Sequence, residues 1–439
     1  MKLRSSTKRS STMALAFALV AGTAFTGAVF ETPAHAQKKE APAKADYSKG
    51  FIAAYTPVNE NVSGEAPDYA SAAAAAPGLV AAVETADDRH AAGSIIYSVG
   101  TKSDNNQLMV QGLELMLASG KVAPEQVGQF HWTSYQLNQR LGNTAAARQG
   151  LEGAIAVNYT LDAQLTDGST RTLGSDDMHR MIADLYFEAE DYPTGFAYLD
   201  EQMSARQAAG QPVPEAWVKH AFVTAYNNEM PERAREYSLL YVEEYPTKTT
   251  WGDAIAVALN STRYEYPEIL DILRLSRRTD TFRDASMYTE YIEAADPRKF
   301  PGEVLAVIDE GFASGMLDRT DPYVTESRAE AERRIQADKS DLPELLADAR
   351  AGNANLLTVM AAGDTFLSYD RAAEAEEFYT KALTMSGVNT PLVLTRMGIA
   401  QLDQGKHAEA EATFKKVEGA RAPIANLWAV YTTQQNAGG

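Results

Sequence analysis

The side chains of this chain with the most catalytic potential are its histidines. Beyond the first 36 residues these are His90, His131, His179, His220 and His407. An imidazole serves as a metal ligand when a second stands one helical turn away, or as a base when a carboxylate orients it. No two of these are four residues apart and none stands in an HExxH arrangement, so no helix face offers a metal two imidazoles. Asp176, Asp177 and His179 make the best remaining cluster, because an acid three residues before a histidine can orient the ring on a helix face. The plainer reading makes the aspartate pair an N-cap and dipole partner for a helix starting there. There is no GxSxG elbow for an activated serine. Gly93 to Ser103, GSIIYSVGTKS, approaches a phosphate loop, but its glycines are wrongly spaced and Thr101 separates Gly100 from Lys102. Carboxylate pairs such as Glu243-Glu244 and Glu376-Glu377 read as solvated faces, since glycosidic chemistry needs two acids facing each other across a cleft. No catalytic, cofactor or metal site is assigned, and the chain is read as a non-enzyme.

What carries these residues is helix after helix. From about Ala70 apolar residues recur at three and four, and Gly, Pro, Asn or Asp interrupts every 12 to 18 residues or so. Pro214-Glu215, Pro231-Glu232 and Pro301-Gly302-Glu303 place proline and an acid in a first turn, where a missing N–H costs nothing and negative charge suits the helix dipole. Connections this short force antiparallel hairpins.

The hairpins repeat. The last, Leu392 to Val417, has Met397 and Gly398 on its first helix, Gly405 at the turn, and Ala410, Phe414 and Val417 on its second. The one before has Gly363, Phe366, Ala375, Tyr379 and Ala382 at equivalent offsets, a step of 35 residues from Gly363 to Gly398. Earlier units carry His131, Tyr135, Gly142, Ala147, Leu151 and Ala154, then Ala183, Tyr186, Asp191, Tyr192 and Leu199. A third has Trp217, Ala221, Ala234, Tyr241 and Pro246, and a degenerate one Tyr288, Ile292, Val304, Ile308 and Gly311. This pattern resembles the tetratricopeptide repeat family, whose period is about 34 residues, and specifically an exported bacterial protein of that kind. Strict motifs cover about a third of the chain and hairpin rhythm most of it. Gly195 and Val304 stand where the family has alanine, and Trp251 to Arg278 matches loosely, so a kink or a boundary between subarrays is expected there.

The resemblance implies an all-α fold, a right-handed superhelical solenoid of antiparallel helix hairpins whose concave surface comes mainly from the first helix of each pair. It places groove positions at Gln136, Gln139 and Arg140, at Asp184, Phe187 and Glu188, and at Phe222, Ala225 and Tyr226, with Trp132 and Arg180 one turn earlier. Aromatics mixed with both charge signs suit an extended peptide or a partner helix. The alternative for Trp132, Phe187 and Phe222 is a place in the core between hairpins. Leu161 to Leu173 interrupts the rhythm with two alternating stretches around Asp167-Gly168, a β-hairpin insert that either touches a partner or is a plain surface loop.

The start of the chain sets the compartment. Lys2, Arg4, Lys8 and Arg9 precede an apolar stretch from Met13 to Phe30, and Ala34-His35-Ala36 supplies a cleavage site, so residues 1–36 read as a secretory signal peptide. An uncleaved anchor is the alternative for the same stretch. Residues 37–69 read as a disordered tether and linker with a short helix over Tyr47 to Tyr55, residues 70–250 as N-terminal repeats and 251–439 as C-terminal repeats. Cysteine is absent, which removes disulfides, thiolate sites and a lipid-bearing cysteine. The formal charge is −19, and losing the signal's four bases and one acid makes the remainder more acidic. Such a chain repels nucleic acid and anionic lipid. The expectation is a periplasmic scaffold binding a protein or peptide partner in the cell envelope, without cofactor or metal and without a stable membrane anchor once the signal is cleaved. An enzyme or enzyme accessory acting on cell-wall glycan and a self-associating envelope component are the other two readings.

Overall fold

The computed structural model describes residues 45–63, 65–164 and 168–437. The expected signal peptide and residues 37–44 of the expected tether lie outside the described residues, as does Asp167 at the tip of the insert. The described chain is helical apart from one two-stranded sheet, and it divides into two compact units, 1–205 and 206–439.

The first unit holds α1 (Lys49–Ser63), α2 (Tyr69–Ala81), α3 (Ala86–Lys102), α4 (Asn106–Ala118), α5 (Pro124–Arg140), α6 (Thr144–Ala156), β1 (Leu161–Gln164), β2 (Thr170–Leu173), α7 (Ser175–Glu188) and most of α8 (Tyr192–Ala208). Its first helix corrects the expectation of a short helix followed by a turn-rich linker. α1 runs through Pro57 to Ser63 because Phe51 and Val58 are buried against Ala72, Ala76, Leu79 and Ile96, and that packing outweighs the lost backbone hydrogen bond. α3 and α4 approach closely. A Cβ on Gly93 would stand 2.6 Å from the Gly112 carbonyl oxygen, and one on Gly100 2.7 Å from the Met109 nitrogen. The glycines of the GSIIYSVGTKS stretch are thus helical contact points rather than a phosphate cradle.

β1 and β2 pair antiparallel with Leu161 opposite Leu173 and Gln164 opposite Thr170. The insert is tied down. Leu173 and Ala163 are buried with Leu151, Met178 and Ile182, and Arg171 forms an ion pair with Asp177 at the start of α7.

The second unit holds α9 (Glu215–Asn227), α10 (Pro231–Glu244), α11 (Lys248–Ser261), α12 (Tyr266–Arg278), α13 (Ala285–Ala295), α14 (Pro301–Ala313), α15 (Pro322–Arg350), α16 (Leu356–Ser368), α17 (Ala372–Ala382), α18 (Thr390–Asp403), α19 (His407–Phe414) and, after a 3₁₀ turn at Gly419–Arg421, α20 (Ala422–Ala437). α9, α10 and α14 start at the proline-acid pairs read from the sequence. The last two hairpins share one contact at one offset. A Cβ on Gly363 would stand 2.8 Å from Tyr379 Cε1, and one on Gly398 2.6 Å from Phe414 Cε1. The small residue lets the first helix sit on the ring of the second, as the repeat resemblance requires.

Trp251 to Arg278, expected to carry a kink or boundary, forms α11 and α12 within the second unit. These helices meet the end of the chain. α20 packs on α10, α11, α12 and α18 besides its neighbour α19. Trp428 Nε1 donates to the Asp271 carbonyl at 3.0 Å, Gln434 Nε2 to the Val242 carbonyl at 2.8 Å, and Trp251 Nε1 to Gln434 Oε1 at 3.2 Å.

Beneath α20 lies a buried ionic cluster. The Asp271 carboxylate, fully buried, accepts from Arg421 Nη1 at 2.7 Å, Arg274 Nη1 at 3.2 Å and Arg396 Nε at 3.2 Å. Each guanidinium has a second acid: Arg274 grips Glu303 bidentately at 2.7 and 2.8 Å, Arg396 reaches Asp364 at 2.7 Å and Arg421 reaches Glu268 at 3.1 Å. Burial pushes the Asp271 carboxyl up, but Arg396, Arg421 and Arg274 together outweigh it and hold it below the usual range. Glu303 is lowered against the same burial by Arg274 and by the Tyr291 hydroxyl.

Candidate functional site

In the first unit α5 and α7 open successive hairpins, and Gln139 of α5 and Arg180, Asp184 and Glu188 of α7 lie around Tyr135. Tyr135 of α5 has its phenol pushed up to about 12, by burial first and then by the nearby carboxylates of Glu188 and Asp184 on α7. Arg180 Nη1 donates to Asp184 Oδ2 at 2.8 Å across one turn. Glu188, raised by burial and then by Asp184, stands at the exposed end of the same helix, while Gln139 and Arg140 are exposed on α5 and Gln136 is half-buried. The face is polar and carries both charge signs.

The aromatic part of the expected groove is placed differently. Trp132 is a core residue, packed with Tyr135, Leu151, Met181 and Leu185, and does not belong to an accessible face. One turn before a groove position, it points to where successive hairpins meet. Phe187 is half-buried against Gly195, Tyr192 and Phe196. In the second unit Phe222 of α9 is buried, with its ring against Tyr226 and Tyr241, and Ala225 is buried too. Tyr226 remains, 56% exposed.

The Asp176, Asp177 and His179 cluster resolves into a helix start. Asp177 accepts the Gly174 backbone N–H at 3.1 Å and the Arg171 guanidinium, and His179 Nδ1 lies 2.7 Å from the Tyr198 hydroxyl. Among the described residues no group of three or more His, Asp or Glu could hold a metal ion, and no helix is long and apolar enough to cross a membrane.

Sequence reasoning missed a cavity of about 430 Å³ in the second unit, between α11, α12 and α13. Ile255 and Leu259 of α11, Ile269 of α12 and Met287 of α13 share the lining with Arg263, Arg283 and Glu290, and the Arg283 guanidinium lies over Gly252. The signal available was the spacing of Gly252, Ile255, Ala256 and Leu259, one face of α11 on which two of the four residues are small.

No family model matches the chain, and no curated protein sequence matches it. Among solved structures a similar one is the crystal structure of the APC/C hetero-tetramer Cut9-Hcn1, at 12% identity over 89% of this chain and 70% of that one, with a TM-score of 0.23. At that score the backbones do not coincide as a whole. The chain is a helical repeat protein on the strength of its own hairpins.

Proposed function

We propose that this chain is an exported scaffold of the tetratricopeptide kind, which binds a protein or peptide partner in the bacterial cell envelope and works in the periplasm without catalysing a reaction. The observation that carries the reading is the α5–α7 face. Its polar side chains stand on helices whose opposite sides are fixed in a core of Trp132, Tyr135, Leu151, Met181 and Leu185, so the face is presented rigidly. A rigid surface loses little conformational freedom when a partner docks. The signal-like start and the absence of cysteine support the compartment.

Because Trp132, Phe187 and Phe222 support packing, the test uses the polar residues and the exposed tyrosine. Affinity capture from envelope extract compares the wild-type chain with a variant carrying Gln139→Ala, Glu188→Gln and Tyr226→Ala, after circular dichroism shows both equally helical. A protein held by the wild type and lost by the variant is the expected result. The same proteins held by both would overturn the assignment of these faces.

A further inference from the structure

The cavity between α11, α12 and α13 sets two guanidiniums against one carboxylate. Arg263, on the connection from α11 to α12, is exposed and has no ion-pair or hydrogen-bond partner among the described residues. Arg283 gives one N–H to Asp253 at 3.1 Å, outside the lining. Its guanidinium lies over Gly252, where a Cβ would stand 2.8 Å from Nη2, so the missing side chain is what lets it reach the wall. Glu290 is the carboxylate of the lining. Its carboxyl is raised by burial and then by Glu293, with no arginine acting against them, so neither guanidinium is committed to it.

A guanidinium holds its N–H donors in a planar fork that matches a carboxylate, and Arg263 and the rest of Arg283 are open to one. The net acidity of the chain does not decide the sign of the occupant. Exposed charges further off than about 8 Å are largely screened at physiological salt, whereas the guanidiniums stand in the wall itself. Much of the remaining wall is apolar. Ile255 and Leu259 lie one turn apart on α11, Ala256 beside them is too small to fill the space, and Met287 lines it from α13.

We propose that this cavity binds a small aliphatic carboxylate, its anionic head on the guanidiniums of Arg263 and Arg283 and its hydrocarbon chain over Ile255, Leu259 and Met287. A cavity of about 430 Å³ is the size of a small-molecule site and lacks room for a helix. Head and chain are both required. An inorganic anion leaves the apolar wall uncovered, and a neutral or cationic amphiphile of the same length leaves the guanidiniums without an acceptor. This site is separate from the α5–α7 face and does not rest on the scaffold reading, so either can fail without the other.

The probe is octanoate, with octylamine, octanol and acetate as its cationic, neutral and chainless counterparts. Calorimetric titrations use the full chain, Arg263→Gln/Arg283→Gln, Ala256→Trp to fill the cavity, and Arg333→Gln/Arg334→Gln on α15 as a control for general charge. Octanoate should bind at one saturable site, and each of the first two variants should weaken it about tenfold or more while the control stays within about twofold. Circular dichroism establishes that the Trp variant is folded, and the Gln pair tests the site without adding bulk. Equal binding of octylamine, octanol or acetate, unchanged affinity in either Ala256→Trp or the Gln pair, an equal loss in the control, or no saturable binding up to about 10 mM would each overturn the proposal.

Discussion

Asp271 shows what a single residue can hold. With three guanidiniums on one fully buried carboxylate, replacing it by asparagine leaves three buried cations each short of a partner. Loss of one member of a buried ionic cluster costs roughly 3–5 kcal/mol, so Asp271→Asn should lower the urea midpoint of the second unit sharply. Arg298→Ala, which removes an exposed partner of Asp296, should leave the midpoint of the same titration almost unchanged. The sign of the pH dependence follows from the lowered carboxyls. Asp271 and Glu303 ionise more readily folded than unfolded, so their stabilisation is complete above the ordinary carboxylate range and drains away as pH falls below about 4. Urea midpoints measured from pH 7 to pH 3 should drop at the acid end, and by less in Asp271→Asn. None of this was legible in the sequence. Asp271, Arg396 and Arg421 are far apart along the chain, each looks like any charged residue of a helix, and only the packing of α18 and of the turn before α20 against α12 makes them neighbours. On α5 and α7 the residues expected in the groove divide, Gln139, Arg140 and Glu188 being exposed and Trp132 buried, because a core position and a surface position lie close together on one helix.

At the scale of the element, the repeat pattern was legible wherever a glycine or alanine marks a helix crossing. Gly363 and Gly398 meet the rings of Tyr379 and Phe414 at the same offset. An added methyl must displace the ring or the helix, so Gly363→Ala and Gly398→Ala should each cost about 1–3 kcal/mol in denaturant titrations. Combining Gly398→Ala with Phe414→Leu should recover part of that loss, and purely additive effects would contradict a direct contact. Other hairpins hid their turns. Gly142 and Gly405 have positive φ after a first helix, and Glu190, Glu229 and Asp370 occupy the same left-handed conformation in equivalent turns. A non-glycine residue tolerates that region when its surroundings impose it, so interruptions read from Gly, Pro, Asn or Asp include Asp370 but give no signal at Glu190 and Glu229 themselves. Pro57 misled in the opposite direction, as a break signal inside a helix held by Phe51 and Val58.

At the scale of the molecule, a solenoid of repeats implies hairpins that stack on their neighbours along the chain. The second unit differs, because α20 is packed against helices from its own beginning. Removing residues 419–439 takes Trp428, Ile424 and Leu427 out of the core and Arg421 off Asp271. Hydrogen exchange should then show lost protection in α10, α11 and α12 as well as in α19, while α3 to α6 of the first unit stay protected. Loss confined to α19 would fit a plain stack of repeats. The fold-back also sets the order of events during synthesis. Val242 and Gln434 are 192 residues apart, and Trp251 and Gln434 183, so these bonds form only once Gln434 has been made. Until then the cluster around Asp271 lacks Arg421. The first unit can fold while the chain is still being made, whereas the second must wait for α20, with its apolar helix faces open to other chains in the interval.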